Sequence, residues 1–132
     1  MKAFLVDLEN RPGEFARVAE ALGKKGVNIT GITGTTCGTS GRVALITSDD
    51  AQTRTALGET KCKFKEIEAV ETTLRDEPGA LAKIARRLAD AGVNIDAIMP
   101  TGTTGKDITV QFLTDNPTKA REAVAAAMST PR

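Results

Sequence analysis

The sequence predicts an α+β chain of two βαββαβ units in tandem. Each unit is expected to carry an antiparallel sheet with its helices on one face, and the second unit is expected to lack its last strand. Three observations predict this: a stretch of the first half returns in the second, strand and helix periods alternate within each copy, and the second copy has little chain left after its second helix.

Sliding the sequence by 66 positions places Leu8, Pro12, Gly13, Ala16, Ala19, Leu22, Gly26, Val27, Asn28, Ile29 and Ile32 on identical residues between Leu74 and Ile98, 11 identities in 25 positions. Most of the differences between the copies, such as Phe15 against Leu81 and Val18 against Ile84, keep the apolar character that a packed face requires.

The elements follow in order. Phe4, Val6 and Leu8 alternate with Leu5, Asp7 and Glu9, the period of a strand with one face more deeply buried. Asn10 and Pro12 end that strand and open a helix, because a first-turn residue does not need the N–H that proline lacks. Phe15, Val18, Ala19 and Leu22 recur at i, i+3, i+4 and i+7 and predict one apolar stripe lying on the sheet, and Gly26 supplies a left-handed helix end. A second strand starts at Val27. The Gly, Thr and Ser residues of 33–41 predict the turn of a hairpin whose return arm is 43–47. Asp49 and Asp50 begin a short helix running to Leu57, and residues 62–67 read as a fourth strand.

The second copy repeats the pattern: strand 69–74, helix 79–91, strand 94–99, a turn near 102–106, strand 108–113 and helix 117–128. Phe64 maps onto Thr130, and Pro131 cannot donate to a ladder, so a fourth strand is not expected there. No Gly or Pro interrupts residues 61–74. The expected domains are therefore 1–67 and 68–132, joined almost strand to strand.

Composition removes several functional classes. Lys and Arg number 10 against 8 Asp and Glu in residues 1–67, and 8 against 9 in the remainder, so neither half is the polycation that nucleic acid calls for. Four Phe with no Trp or Tyr leave too few stacking platforms for an RNA-reading sheet. The absence of histidine removes the usual neutral-pH base and the commonest metal ligand. Cys37 and Cys62 lack metal or redox spacing and read as reduced structural thiols, with a disulfide or sensor role as the alternative; reduced thiols fit a cytoplasmic location. No segment approaches the ~20 apolar residues of a membrane span. Neither a nucleic acid nor a membrane is an expected partner.

Strand, Asx-x-Pro-Gly, amphipathic helix, Gly-Val-Asn-Ile, strand: the stretches "ENRPGEF" with "GVNITGI" and "RDEPGAL" with "GVNIDAI" resemble the ACT domain, a small ferredoxin-like βαββαβ module that regulates amino-acid metabolism. The resemblance covers both copies and nearly the whole chain. It implies a non-catalytic regulatory protein that binds an amino acid at the interface between its two repeats, with no cofactor and no metal. In the family the ligand lies where the loop after the first strand of one module meets the second strand of another, and duplication places both partners in one chain. Homodimers or higher homo-oligomers are expected, with a metabolic enzyme as a further partner.

The candidate ligand-binding residues are Asn10, Pro12, Gly13, Glu14, Phe15 and Asn28 in the first copy, and Asp76, Pro78, Gly79, Ala80, Leu81 and Asn94 in the second. Pro-Gly loops let backbone approach a ligand closely, and a helix N-terminus attracts a carboxylate. Asn10 or Asp76 accepts hydrogen bonds from an ammonium group, and Asn28 or Asn94 offers both donors and an acceptor. Two inequivalent sites are expected, one pairing Asn10 with Asn94 and the other Asp76 with Asn28. The serine-sensing dehydrogenases of the family use a histidine where this chain has Leu8 and Leu74, which implies a more apolar ligand.

Other readings compete. Asn10 and Asp76 also suit helix caps, and Asn28 and Asn94 suit turns. The duplicated sheets could pair with an enzyme and bind nothing small. An acylphosphatase-like hydrolase using Arg11 and Asn28 is disfavoured, because Arg11 returns as Glu77 and a Gly-rich phosphate cradle is absent.

Overall fold

The structure, a computed structural model, describes residues 1–129, without the side chains of 127–129. Contacts divide the chain into two compact units, Met1–Ile67 and Glu68–Arg132. The first contains β1 (Lys2–Glu9), α1 (Glu14–Lys24), β2 (Ile29–Cys37), β3 (Ser40–Thr47), α2 (Asp50–Thr60) and β4 (Phe64–Glu68), whose last residue lies just past the division. The second contains β5 (Val70–Arg75), α3 (Ala80–Asp90), β6 (Ile95–Thr104), β7 (Asp107–Thr114) and α4 (Pro117–Ser129).

In the first unit the strand order is β2-β3-β1-β4, with β1 and β2 both antiparallel to β3. Phe4, Val6 and Leu45 from the sheet pack with Val18 and Leu22 of α1 and Ala56 and Leu57 of α2, so both helices cover the same sheet face. In the second unit the order is β5-β7-β6, again antiparallel, and Val70, Val110 and Phe112 meet Ile84, Leu88, Ala120 and Val124 of its two helices. That sheet has three strands among the described residues. Thr130 and Pro131, on which the expectation of a missing strand rested, lie outside them.

Both amphipathic helices end alike. Gly26 and Gly92 adopt φ of 72° and 75°. Val27 N–H donates to Leu22 O at 3.1 Å and Gly26 N–H to Gly23 O at 3.0 Å. Val93 to Leu88 and Gly92 to Ala89 repeat the pattern, both at 2.9 Å. These are Schellman closures, and the buried Val27 and Val93 supply the apolar contact that accompanies them.

Several expectations are corrected. Pro12 does not start α1; it lies in the turn before it, and Gly13 at φ 90° is the N-cap. Phe15 is not on the buried stripe: it is 38% exposed, and the inward face of α1 is Glu14, Val18 and Leu22. The carboxylate there is offset by Arg11 and Arg17, which both reach it, each at 3.4 Å. The hairpin turns are also shorter than composition suggests. Residues 33–37 are strand, leaving Gly38 and Thr39 as the turn, because β-branched threonine is as good a strand former as a loop former is glycine.

The second hairpin carries one residue more than the first. The left-handed turn glycines Gly38 and Gly105 are separated by 67 positions, not 66. The extra residue is absorbed where the β6–β7 register shifts between Pro100 and Gly102, a break with no counterpart in β2–β3. Proline cannot donate to a ladder, so a bulge on this edge strand suits it.

Candidate functional site

The loop after β1 is fixed by the hairpin beside it. β1 and β3 pair so that Glu9 faces Ser40, which brings the β2–β3 turn alongside the Asn10 loop. Asn10 then clamps the two together: its backbone N–H donates to Thr39 O and its Nδ2 to Gly38 O, both at 2.9 Å. Its side chain therefore holds the hairpin and does not cap α1. No side chain caps α1 or α3; Glu14 N–H donates to Arg11 O at 3.4 Å and Ala80 N–H to Glu77 O at 3.3 Å, which leaves the N–H groups of Phe15 and Ala16, and of Leu81 and Ala82, as the uncapped donors of each first turn.

Gly13 and Gly79 stand at φ 90° and 86°, and nothing lies within 4 Å of where a Cβ would be at either. The glycines are required by backbone conformation alone. Between the β1 loop and the hairpin lies an open cleft of about 410 Å³, lined by Leu8, Glu9, Asn10, Arg11, Thr39 and Ser40. Asn10 Oδ1, Thr39 Oγ1 and Ser40 Oγ accept or donate no hydrogen bond among the described residues. Arg11 pairs with Glu9 at 3.1 Å and with Glu14 at 3.4 Å. The Arg11 and Glu9 side chains are 63% and 67% exposed, so their pair is worth about 0–1 kcal/mol.

Glu14 is enclosed, with 8% of its surface exposed. The Arg17 hydrogen bond, then the nearby charges of Arg17 and Arg11, hold its carboxyl below its ordinary value of 4.5 against the opposing effect of burial. With both oxygens committed to arginines, Glu14 supports the loop and is poorly placed to receive an ammonium group. Arg17 also donates to Thr60 O at 2.6 Å and to Cys62 Sγ at 3.3 Å, tying α1 to the end of α2. Cys62 is half-buried there, Cys37 is exposed, and both are free thiols.

The second copy places its residues similarly. Asp76 N–H donates to Lys106 O at 2.7 Å, but the carboxylate has no donor with which to repeat the Asn10 clamp. Pro78 and Gly79 are exposed, Ala80 is half-buried, and Leu81 is 44% exposed, as Phe15 is in the first copy.

Asn28 and Asn94 sit at the other end of each sheet. Ile29 pairs with Thr47 while Glu9 pairs with Ser40, so the length of β3, about 23 Å, separates Asn28 from Asn10 within one unit. The same pairing pattern separates Asn94 from Asp76. Neither unit alone unites its two candidate residues. Asn28 exchanges backbone bonds with Ser48, its N–H donating to Ser48 Oγ and its carbonyl accepting from Ser48 N–H, each at 2.9 Å. Asn94 N–H donates to Asp115 Oδ1 at 2.9 Å and its Nδ2 to Asp96 Oδ1 at 3.1 Å, leaving its Oδ1 as acceptor.

Glu9, Thr39 and Ser40 were not among the sequence-derived site residues, and Arg11 entered only through the disfavoured hydrolase. The Glu9–Ser40 register that assembles them depends on where the hairpin turns, which a Thr- and Gly-rich stretch does not reveal. Among the described residues no group of three His, Cys, Asp or Glu side chains is placed to hold a metal ion. No helix among them is long and apolar enough to cross a membrane.

The family model of the ACT domain matches residues 3–61 and 69–126. Among solved structures, the chain is similar to a protein from Bacteroides thetaiotaomicron, at 24% identity and a TM-score of 0.80, covering 96% of this chain and 88% of that one. It is also similar to the regulatory subunit of aspartate kinase from Thermus thermophilus in its ligand-free form, at 19% identity and a TM-score of 0.68, covering 99% and 91%. The corresponding subunit from Thermus flavus gives 22% identity and a TM-score of 0.64 over 97% and 92%. Among curated proteins no match is found.

Proposed function

Because this chain belongs to the ACT domain family and carries two of its domains in tandem, we propose that it is a non-catalytic regulatory protein whose ligand is an amino acid. One observation carries the proposal. In both copies an Asx-x-Pro-Gly loop ends in a left-handed glycine and delivers an uncapped helix N-terminus, which offers N–H groups and a positive dipole end to a carboxylate. Nothing in such a site performs chemistry; it supplies hydrogen bonds and charge for recognition.

The sites we propose draw on both repeats, Asn10 with Asn94 and Asp76 with Asn28. The reasoning is that each unit holds its own two candidates at opposite ends of its sheet, so a zwitterion can meet both kinds of residue only if the copies complement each other. Pro12, Gly13 and Phe15 in one loop, and Pro78, Gly79, Ala80 and Leu81 in the other, would contribute backbone and apolar surface.

A second reading is favoured by a separate observation. The sheet of the second unit has three strands among the described residues and β5 at its edge, a template on which a strand of another chain can pair. On this reading the chain pairs with a metabolic enzyme, or with itself, without a small ligand. Calorimetric titration against the twenty amino acids separates the two: saturable heat for at least one supports the first, and silence for all twenty supports the second.

A further inference from the structure

We infer that the Glu14 carboxylate is the centre of a charged relay that couples the loop after β1 to the junction of α2 and β4, and that the second repeat lacks this relay. The relay rests on the amino-acid-binding reading only for what moves Arg11 in the working protein.

Glu14 is shared between two cations. Arg11 Nη2 donates to its Oε2 from the loop and Arg17 Nη2 to its Oε1 from the next turn of α1, each at 3.4 Å. Both are longer than the roughly 2.7–2.9 Å of a fully formed guanidinium–carboxylate bond, so the carboxylate completes its bond to neither arginine. It is also enclosed, and an enclosed carboxylate that loses one partner draws closer to the other instead of turning to water. A group that takes Arg11 away therefore lets Glu14 close on Arg17.

Arg17 passes the change on because it is shared as well. Its Nη2 divides its protons between Glu14 Oε1 and Cys62 Sγ, at 3.4 and 3.3 Å, while its Nη1 donates to Thr60 O at 2.6 Å. Thr60 is the last residue of α2, and Cys62 N–H donates to its Oγ1 at 3.4 Å. One residue on, Lys63 O accepts from Asp7 N–H at 2.9 Å, where the chain enters β4, an edge strand of its sheet. The path thus runs from the β1 loop to the entry of an edge strand through ion pairs and hydrogen bonds, the kind of network that carries coupling between separated places.

The second repeat breaks the path at its middle. Arg11, Glu14 and Arg17 correspond to Glu77, Ala80 and Lys83 at the 66-residue offset, and Ala80 has no charge to share. Both repeats form the loop and its left-handed glycine, so the relay is added to the loop and is not needed to make it. An event at the loop is transmitted in the first repeat alone.

The test needs no ligand. A double-mutant cycle on the full chain pairs Arg11→Ala with Cys62→Ala in urea unfolding, first with Glu14 present and then in a Glu14→Gln background. Distant sites without shared partners add to within about twofold in the unfolding equilibrium constant. The relay predicts a departure of about threefold or more, falling within twofold once Glu14 is replaced. A second readout looks only at the far end: in a Cys37→Ser background, Arg11→Ala should change the rate at which iodoacetamide alkylates Cys62 by at least about twofold, and Glu14→Gln should abolish that response. An alkylation rate unmoved by Arg11→Ala overturns the relay, and so does a coupling that survives Glu14→Gln. Either result leaves the amino-acid-binding reading standing, which fails separately if none of the twenty amino acids gives heat.

Discussion

Glu14 shows how far one residue departs from its position in a pattern. Periodicity suggests the inward place for Phe15, yet the stripe runs through Glu14, Val18 and Leu22, as it runs through Ala80, Ile84 and Leu88 in the second copy, and Phe15 and Leu81 both turn outward. The two arginines are what let a carboxylate stand at the inward place in α1. Spacing places the inward face only to within one residue here, because positions 14, 18 and 22 fit a helical stripe as well as positions 15, 18 and 22 do. Because the folded-state pKa of Glu14 is lowered, its contribution to stability is present above about pH 4.5 and is lost as pH falls through the lowered value. Melting temperatures of wild type and Glu14→Gln should therefore differ most near neutrality and converge in acid; a constant difference would contradict the ion-pair account. Asn10 was legible as a special residue but not as a hairpin clamp, since its partners Gly38 and Thr39 are distant in sequence. Asn10→Asp removes the Nδ2 donor and should cost about 0.5–1.5 kcal/mol in a denaturant titration, a single net hydrogen bond. No loss would mean that the backbone bond to Thr39 holds the loop unaided.

Elements were more legible than residues. The number, order and type of all eleven follow from the doubled pattern, because strand and helix periods differ and Gly26 and Gly92 mark helix ends with a required conformation. The hairpin tips were not legible, since Thr-rich chain serves strand or loop equally, and neither was the bulge at Pro100, because the closely repeated stretch of 25 positions ends at Ile98, before it. Backbone conformation gives two predictions of opposite sign. Gly13→Ala places a Cβ on a residue at φ 90° and should destabilise by about 1–2 kcal/mol, although the space around it is empty. Lys61, at φ 61°, is the one non-glycine in the left-handed region among the described residues and ends α2. Lys61→Gly relieves that strain and should raise stability by up to about 1 kcal/mol. Both are read as shifts of the urea midpoint, and a shift of the wrong sign in either would contradict the assigned conformations.

At the scale of the molecule, duplication is the principal fact, and it was legible because eleven identities fall within 25 positions at one offset. Of the candidate site, the Asx-x-Pro-Gly loop was legible and the cleft beside it was not, because strand register brings the hairpin turn to the loop. A homodimer or larger assembly is proposed from the edge position of β5, with the exposed Glu71 as the feature that opposes edge pairing. Light scattering at high micromolar concentration should show a dimer, and a monomer would assign the edge to charge protection. The central proposal is that the loop occurs twice because two inequivalent amino-acid sites need residues of both copies. Its most direct measurement is a calorimetric titration of wild type, Asp76→Ala and Asn94→Ala with the tightest-binding amino acid, with melting curves to show that the variants remain folded. Charge-assisted bonds are worth about 1.5–3 kcal/mol, so Asp76→Ala should weaken one of two sites roughly ten- to a hundredfold and spare the other. Asn94→Ala should weaken the other and spare the first. Two folded variants that bind as wild type does would contradict the account.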